Sequence, residues 1–150
     1  ILYGGLGADT LSGDGTGTDT GSDEFIFASF DESRSGDGNH DTITDYQAGI
    51  DWIDLTAIAQ EGVRIELAIF EGEGTSFYYV SGPDEGEFST DVIIHILEEG
   101  EQTRIVADSA ADYFGEGEGD PSVDTDFEIV LTGDHTLTRF DFQLSSGFFL

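Results

Sequence analysis

Hydrophobic positions along this chain alternate over short stretches. Val63, Ile65, Leu67 and Ile69 interleave with Arg64, Glu66 and Ala68, the period-2 pattern of a half-buried strand. Glu71-Gly72-Glu73-Gly74 reads as a hairpin turn, with 75–80 returning as the second strand. Gly82-Pro83-Asp84-Glu85-Gly86 is a loop. Strands are expected at 91–97 and 103–107, on either side of Glu98-Glu99-Gly100-Glu101. An acidic loop over 108–126 then leads to a strand at 127–131. A short helical turn is expected at 56–60, ended by Gly62. No helical period is sustained, and many short strands with glycine turns predict an all-β sandwich.

The first residues follow a different rule. Gly4-Gly5-Leu6-Gly7-Ala8-Asp9-Thr10-Leu11-Ser12 fits G-G-x-G-x-D-x-U-x, U being a large apolar residue, an established repeat pattern of calcium-binding parallel β-rolls. Glycines permit the tight turn, whose carbonyls can face inward. The aspartate adds a carboxylate, and the apolar residue enters the roll. A second copy is degraded: Asp14-Gly15-Thr16-Gly17-Thr18-Asp19 keeps two glycines and the aspartate, but Gly21 stands where the apolar residue belongs. Gly21-Ser22-Asp23-Glu24-Phe25-Ile26-Phe27 recovers the pattern. Asp9 and Asp23 are the expected carboxylate ligands, with Asp19 beside them; carbonyls of Gly4, Gly5, Gly7, Gly15 and Gly17, in turns that run on to Gly21, complete the shells. Calcium takes six to eight oxygens, which two stacked turns can supply. A flexible linker would not keep Asp and a bulky residue in step, and a phosphate loop would need a lysine that the chain lacks.

Charge strengthens the case for a cation. The chain has 33 acidic residues against four arginines and no lysine, for a formal charge of −29 over 150 residues. Such a field repels nucleic acid and anionic membranes and opposes compaction unless something neutralises it. Yet 37% of residues are hydrophobic, including twelve phenylalanines, too many for a disordered tail. There is no cysteine for a disulfide or thiolate site, and no apolar run approaches the ~20 residues of a membrane helix. The chain shows no signal peptide at its start and no methionine; it reads as a piece of something longer.

Further motifs resemble the C-terminal RTX domain of serralysin-type secreted metalloproteases. They are the Gly21 to Phe27 strand, the Asp31-Glu32-Ser33 loop, Asp41-Thr42-Ile43-Thr44-Asp45-Tyr46 and Gly49-Ile50-Asp51-Trp52-Ile53-Asp54-Leu55-Thr56. Near the end, Asp126-Phe127-Glu128-Ile129-Val130-Leu131-Thr132-Gly133 and Phe140-Asp141-Phe142-Gln143-Leu144 continue the likeness. The resemblance implies an all-β domain in which a short parallel β-roll (1–30) leads into a β-sandwich cap (31–150). It implies Ca2+ as cofactor, with a further site built from Glu32 (or neighbouring Asp31) and Asp41. It also implies export from a bacterium by type I secretion machinery, using a signal at the C-terminus, and an upstream domain in the same polypeptide. For Asp45, Asp51 and Asp54 the plainer reading is turn capping and solvation.

No catalytic set stands out. H-E-x-x-H and G-x-S-x-G are absent, and His40, His95 and His135 lie far apart in sequence; His95 reads as a strand residue. A cluster of Asp108, Asp112, Asp120 and Asp124 around Gly115-Glu116-Gly117-Glu118-Gly119-Asp120-Pro121 reads as a solvated acidic loop, lacking the order of an EF-hand. The expectation is a non-catalytic calcium-binding module. The alternative is a polysaccharide-associated domain similar to the R-modules of alginate epimerases, though a surface of this charge repels a polyuronate unless calcium bridges them. A third reading is an acidic domain adapted to salt in general.

Overall fold

The computed structural model describes residues 1–13, 21–36, 38–60, 62–82, 90–116 and 124–144. Five short strands open the chain: β1 (Leu2–Tyr3), β2 (Thr10–Leu11), β3 (Glu24–Ile26), β4 (Asp41–Ile43) and β5 (Trp52–Asp54). They fall alternately into two sheets. β1, β3 and β5 stack in parallel in one, and β2 and β4 in the other. This is a parallel roll, and its stacking runs through β5.

The cap grows from the second sheet. β6 (Ile65–Phe70), β7 (Thr75–Ser81), β8 (Val92–Glu98), β9 (Gln102–Ser109) and β10 (Glu128–Thr132) extend it to seven strands in the order β2-β4-β10-β9-β8-β6-β7. β10 lies parallel to β4 on one side and antiparallel to β9 on the other, so it is the seam between roll and cap. Its residues Glu128 to Leu131 are all buried, as befits a strand covered on both faces. β9 shows strict alternation of half-buried and buried residues, the signature of one face turned inward. β11 (Phe142–Gln143) returns to the first sheet beside β5, giving β1-β3-β5-β11.

One core fills the space between the sheets. Phe25, Ile53 and Phe142 from the first sheet meet Ile43, Ile105, Ile129 and Leu131 from the second. At the seam, Phe30 stacks on Phe127 with centroids 4.8 Å apart, and Phe27 meets Phe127 edge-on at 6.3 Å.

Two local expectations differ from the structure. Residues 56–60 hold a single turn, closed by the Ile58 amide donating to the Leu55 carbonyl at 3.2 Å, and then an isolated bridge between Gln60 and Val63, not a helical turn; burial of both Leu55 and Ile58 fixes that turn against the core. The acidic stretch after Ser109 instead starts with a helix, α1 (Ala110–Tyr113), capped by the Ser109 side chain.

Candidate metal centre

The first turn of the roll brings two carboxylates together under a glycine. Because β2 pairs with β4, Thr10 lies beside Thr42, which places Asp9 against Asp41. The Asp9 amide donates to Asp41 Oδ1 at 2.8 Å. The other oxygen of each residue, Oδ2, is buried and has no hydrogen-bond partner among the described residues. Both orphaned oxygens sit by Gly4: a Cβ there would lie 2.7 Å from Asp41 Oδ2 and 3.2 Å from Asp9 Oδ2. Gly4 is therefore a space requirement, whereas Gly5 (φ 83) and Gly7 (φ 115) supply left-handed turn conformations.

The electrostatics are unfavourable for two bare anions. Asp41 is 0% exposed. Burial, together with the charges of Asp9 and Glu32, pushes its carboxyl up to about 6, against the pull of the Asp9 amide and His40. Unpartnered buried carboxylate oxygens are rare and costly. A divalent cation answers both problems, since it accepts orphaned oxygens and inverts the local charge balance. Oxygen-only donors suit a hard ion such as Ca2+. The residues present thus fit such an ion: Asp9 and Asp41 would hold it through carboxylate oxygens, with turn carbonyls at Gly4, Gly5 and Gly7 as the further donors. Among the described residues no group of three or more His, Cys, Asp or Glu side chains forms a metal cluster, so backbone oxygen has to supply much of the shell.

Glu32 stands behind this pair. It is buried, but both oxygens are engaged, one by the Tyr3 hydroxyl at 2.6 Å and one by the Ala28 amide at 2.9 Å. It acts on the site through charge and by fixing the 3-10 turn at Phe30–Glu32. Asp31, its alternative, turns outward and pairs with Arg34.

A second tier repeats the design. Asp23 packs its carboxylate directly on the Cα of Gly13, leaving no space for a Cβ. Its amide donates to Asp51 Oδ1 at 2.9 Å. The Gly13 amide and Ser12 hydroxyl donate to the two oxygens of Asp45 at 3.0 and 2.6 Å. Asp51 also accepts from the Gln47 amide at 2.8 Å, and Asp54 from the Thr56 amide at 2.8 Å. Both cap turns as expected, though Asp51 is buried, not solvated. Gly21 is exposed ahead of β3, and Gly15, Gly17 and Asp19 lie outside the described residues. Sequence reasoning passed over Gly13. The signal was present: Gly13 follows Gly4 by nine positions, the repeat length.

The remaining acidic candidates are engaged elsewhere. Asp108 pairs with His95 at 2.9 Å, Asp112 accepts from the Ser109 hydroxyl at 2.8 Å, and Asp124 pairs with Arg34 at 2.9 Å; Asp120 lies outside the described residues.

A family model described as the Peptidase M10 serralysin C terminal matches residues 2–127. The chain belongs to the serralysin C-terminal family. In this family member the match spans the roll, the cap hairpins and the start of the Phe127 segment that forms the seam. Among solved structures, the solution structure of the AlgE6R3 subunit of the Azotobacter vinelandii mannuronan C5-epimerase is similar to this serralysin C-terminal chain at 26% identity. It covers 97% of this chain and 67% of its own, with a TM-score of 0.41. No curated protein matches.

Proposed function

We propose that this serralysin C-terminal domain is a non-catalytic, calcium-folded module of a larger secreted bacterial protein, exported by type I machinery. The observation that carries the reading is the pair of buried, unpartnered Oδ2 atoms of Asp9 and Asp41 converging on Gly4. Keeping Asp41 ionised in the absence of a cation costs about 3 kcal/mol, from a shift of roughly two pKa units at 1.36 kcal/mol each. A calcium site held at ten to a hundred times its Kd contributes about 1.4–2.7 kcal/mol, and several sites reach the scale of a domain's total stability. Calcium at the millimolar levels met outside cells therefore decides whether the roll closes. In a low-calcium cytosol the chain stays loose enough to be exported.

The secretion signal is assigned to the C-terminal end. Phe142 and Leu144 are buried, so 140–144, which includes the strand β11, also has a structural part, while 145–150 lie outside the described residues. The deciding measurement is circular dichroism in chelator, then in millimolar calcium or magnesium. Calcium should restore the folded spectrum and magnesium should not. A fully folded spectrum in chelator defeats the calcium reading. Retained type I export after deletion of 140–150 defeats the assignment of the signal.

A further inference from the structure

Far from the roll, the cap sheet splits. Ile65–Leu67 of β6 pair with Val92–Ile94 of β8, and the pairing stops there, although β6 runs on to Phe70 and β8 to Glu98. Each strand stays with its own hairpin partner to the end, Phe70 beside Thr75 and Glu98 beside Thr103. The two hairpins diverge, and a cavity of about 330 Å³ opens between them. That volume is at the small end of ligand pockets. Its walls include Ala68, Phe70, His95, Glu98, Tyr113 and Thr136.

Three features of the cleft point to one ligand chemistry. Tyr113 is fixed at the rim by other rings: His95 at 5.1 Å, Phe114 at 5.1 Å and Phe77 at 6.3 Å between centroids. His95 is in turn held by Asp108 at 2.9 Å. Glu98 brings a carboxylate that makes no side-chain hydrogen bond or ion pair among the described residues. No arginine lines the cavity. All four are engaged elsewhere: Arg34 with Asp31 and Asp124, Arg64 with Glu66, Arg104 with Glu99 and Glu128, and Arg139 over Tyr78 and Phe140. The cleft thus joins aromatic rings to an unmatched carboxylate on a molecule of formal charge −29.

We propose that this cleft binds the side chain of an arginine presented by a partner protein, its guanidinium lying on Tyr113 and paired with Glu98. A planar guanidinium is weakly hydrated, stacks on aromatic faces and matches a carboxylate fork, which a compact ammonium does less well. The field of the whole molecule draws such a group in. Anionic ligands are repelled by the same charges. This inference does not depend on the calcium reading.

The test uses the full chain, folded in saturating calcium, with backbone and aromatic resonances followed by NMR. N-acetyl-arginine methylamide is the probe, and N-acetyl-citrulline methylamide is its neutral counterpart of the same shape. The arginine compound should give saturable shifts at His95 and Tyr113, and the citrulline compound none. Glu98→Gln and Tyr113→Leu should each weaken binding by about two- to fivefold. Glu98 is exposed, so Glu98→Gln stays informative if Tyr113→Leu disturbs α1. Equal shifts with the citrulline compound, non-saturating shifts spread over many carboxylates, or unchanged affinity in Glu98→Gln each overturn the proposal. A spectrum that remains undispersed in calcium reports on the metal reading instead.

Discussion

Asp41 concentrates the physics of this domain in one side chain. It is wholly buried, and its carboxylate offers one oxygen to an amide while the other, beside Gly4, has no hydrogen-bond partner among the described residues. Its raised pKa carries a sign. A carboxyl whose folded pKa exceeds its unfolded one binds more protons when folded, so stability falls as pH rises from about 4 through about 6. In chelator, Asp41→Asn should therefore shift the folding equilibrium toward the folded state at neutral pH by up to about 3 kcal/mol and remove this fall, as read by the folded fraction in circular dichroism across pH. The same substitution should raise the calcium concentration needed for folding by at least about tenfold, on the order of the loss from one charged ligand. Gain without calcium combined with loss of calcium response separates a metal ligand from an ordinary buried acid. Glycine gives a second residue-scale test. Gly13→Ala places a methyl group in the Asp23 carboxylate, whereas Gly74→Ala meets open space at ordinary φ. The first should abolish much of the calcium-induced folding, and the second should change stability by less than about 0.5 kcal/mol.

At the scale of elements, β10 carries the junction. Phe127, one residue before it, packs against both Phe27 and Phe30. Phe127→Ala should cost about 3–5 kcal/mol in a urea melt, loosening roll and cap together because the seam belongs to both. Beside it, Glu128 is buried and ion-paired with Arg104 at 2.6 Å, and it also accepts from the Gly36 amide at 3.2 Å. Burial works against its ionisation, but Arg104 and the amide outweigh it and hold its pKa below the usual range. A lowered carboxylate pKa contributes stability above the unfolded value and loses it as pH falls through the lower folded value. Glu128→Gln should accordingly lower stability at neutral pH and flatten the acid limb of the stability profile below about pH 4.5, the reverse of Asp41→Asn. Tyr46 makes the corresponding tie to the C-terminal end. Its hydroxyl donates to the Asp141 carboxylate at 3.1 Å, and Asp141 also accepts from the Gly49 amide at 2.8 Å. Tyr46 is thus a polar anchor between the residues just before β5 and those just before β11.

At the scale of the whole molecule, the proposed calcium sites act against a formal charge of −29. Monovalent salt screens exposed carboxylates that lie more than a Debye length apart, yet it supplies no donor-matched ion to Asp9 and Asp41. Calcium should raise the thermal midpoint well above that reached in potassium chloride of equal ionic strength. Equal midpoints would favour a general salt adaptation over specific sites. The hydrophobic core is sufficient for a fold of this size: both sheets contribute fully buried phenylalanine, isoleucine and leucine side chains to one cluster.

The sequence by itself determined the classes of local structure. Period-2 alternation marked β6 because a strand turns successive side chains to opposite faces, short apolar runs bounded by glycine or acidic turns marked β7 to β10, and the nine-residue glycine pattern marked the roll because turn geometry is a local property. The repeat positions of Asp9 and Asp23 follow from the same local pattern. Only the tertiary structure decided which carboxylates meet. Asp41 reaches Asp9 across 32 positions because β4 stacks on β2, and Asp45 reaches Gly13 across the same separation; such registers come from packing between distant segments, which no local pattern encodes. Which of Asp31 and Glu32 is buried was likewise decided by which face of a 3-10 turn pointed inward. The cleft between the two cap hairpins was invisible in the sequence, since it arises where two parallel strands cease to pair.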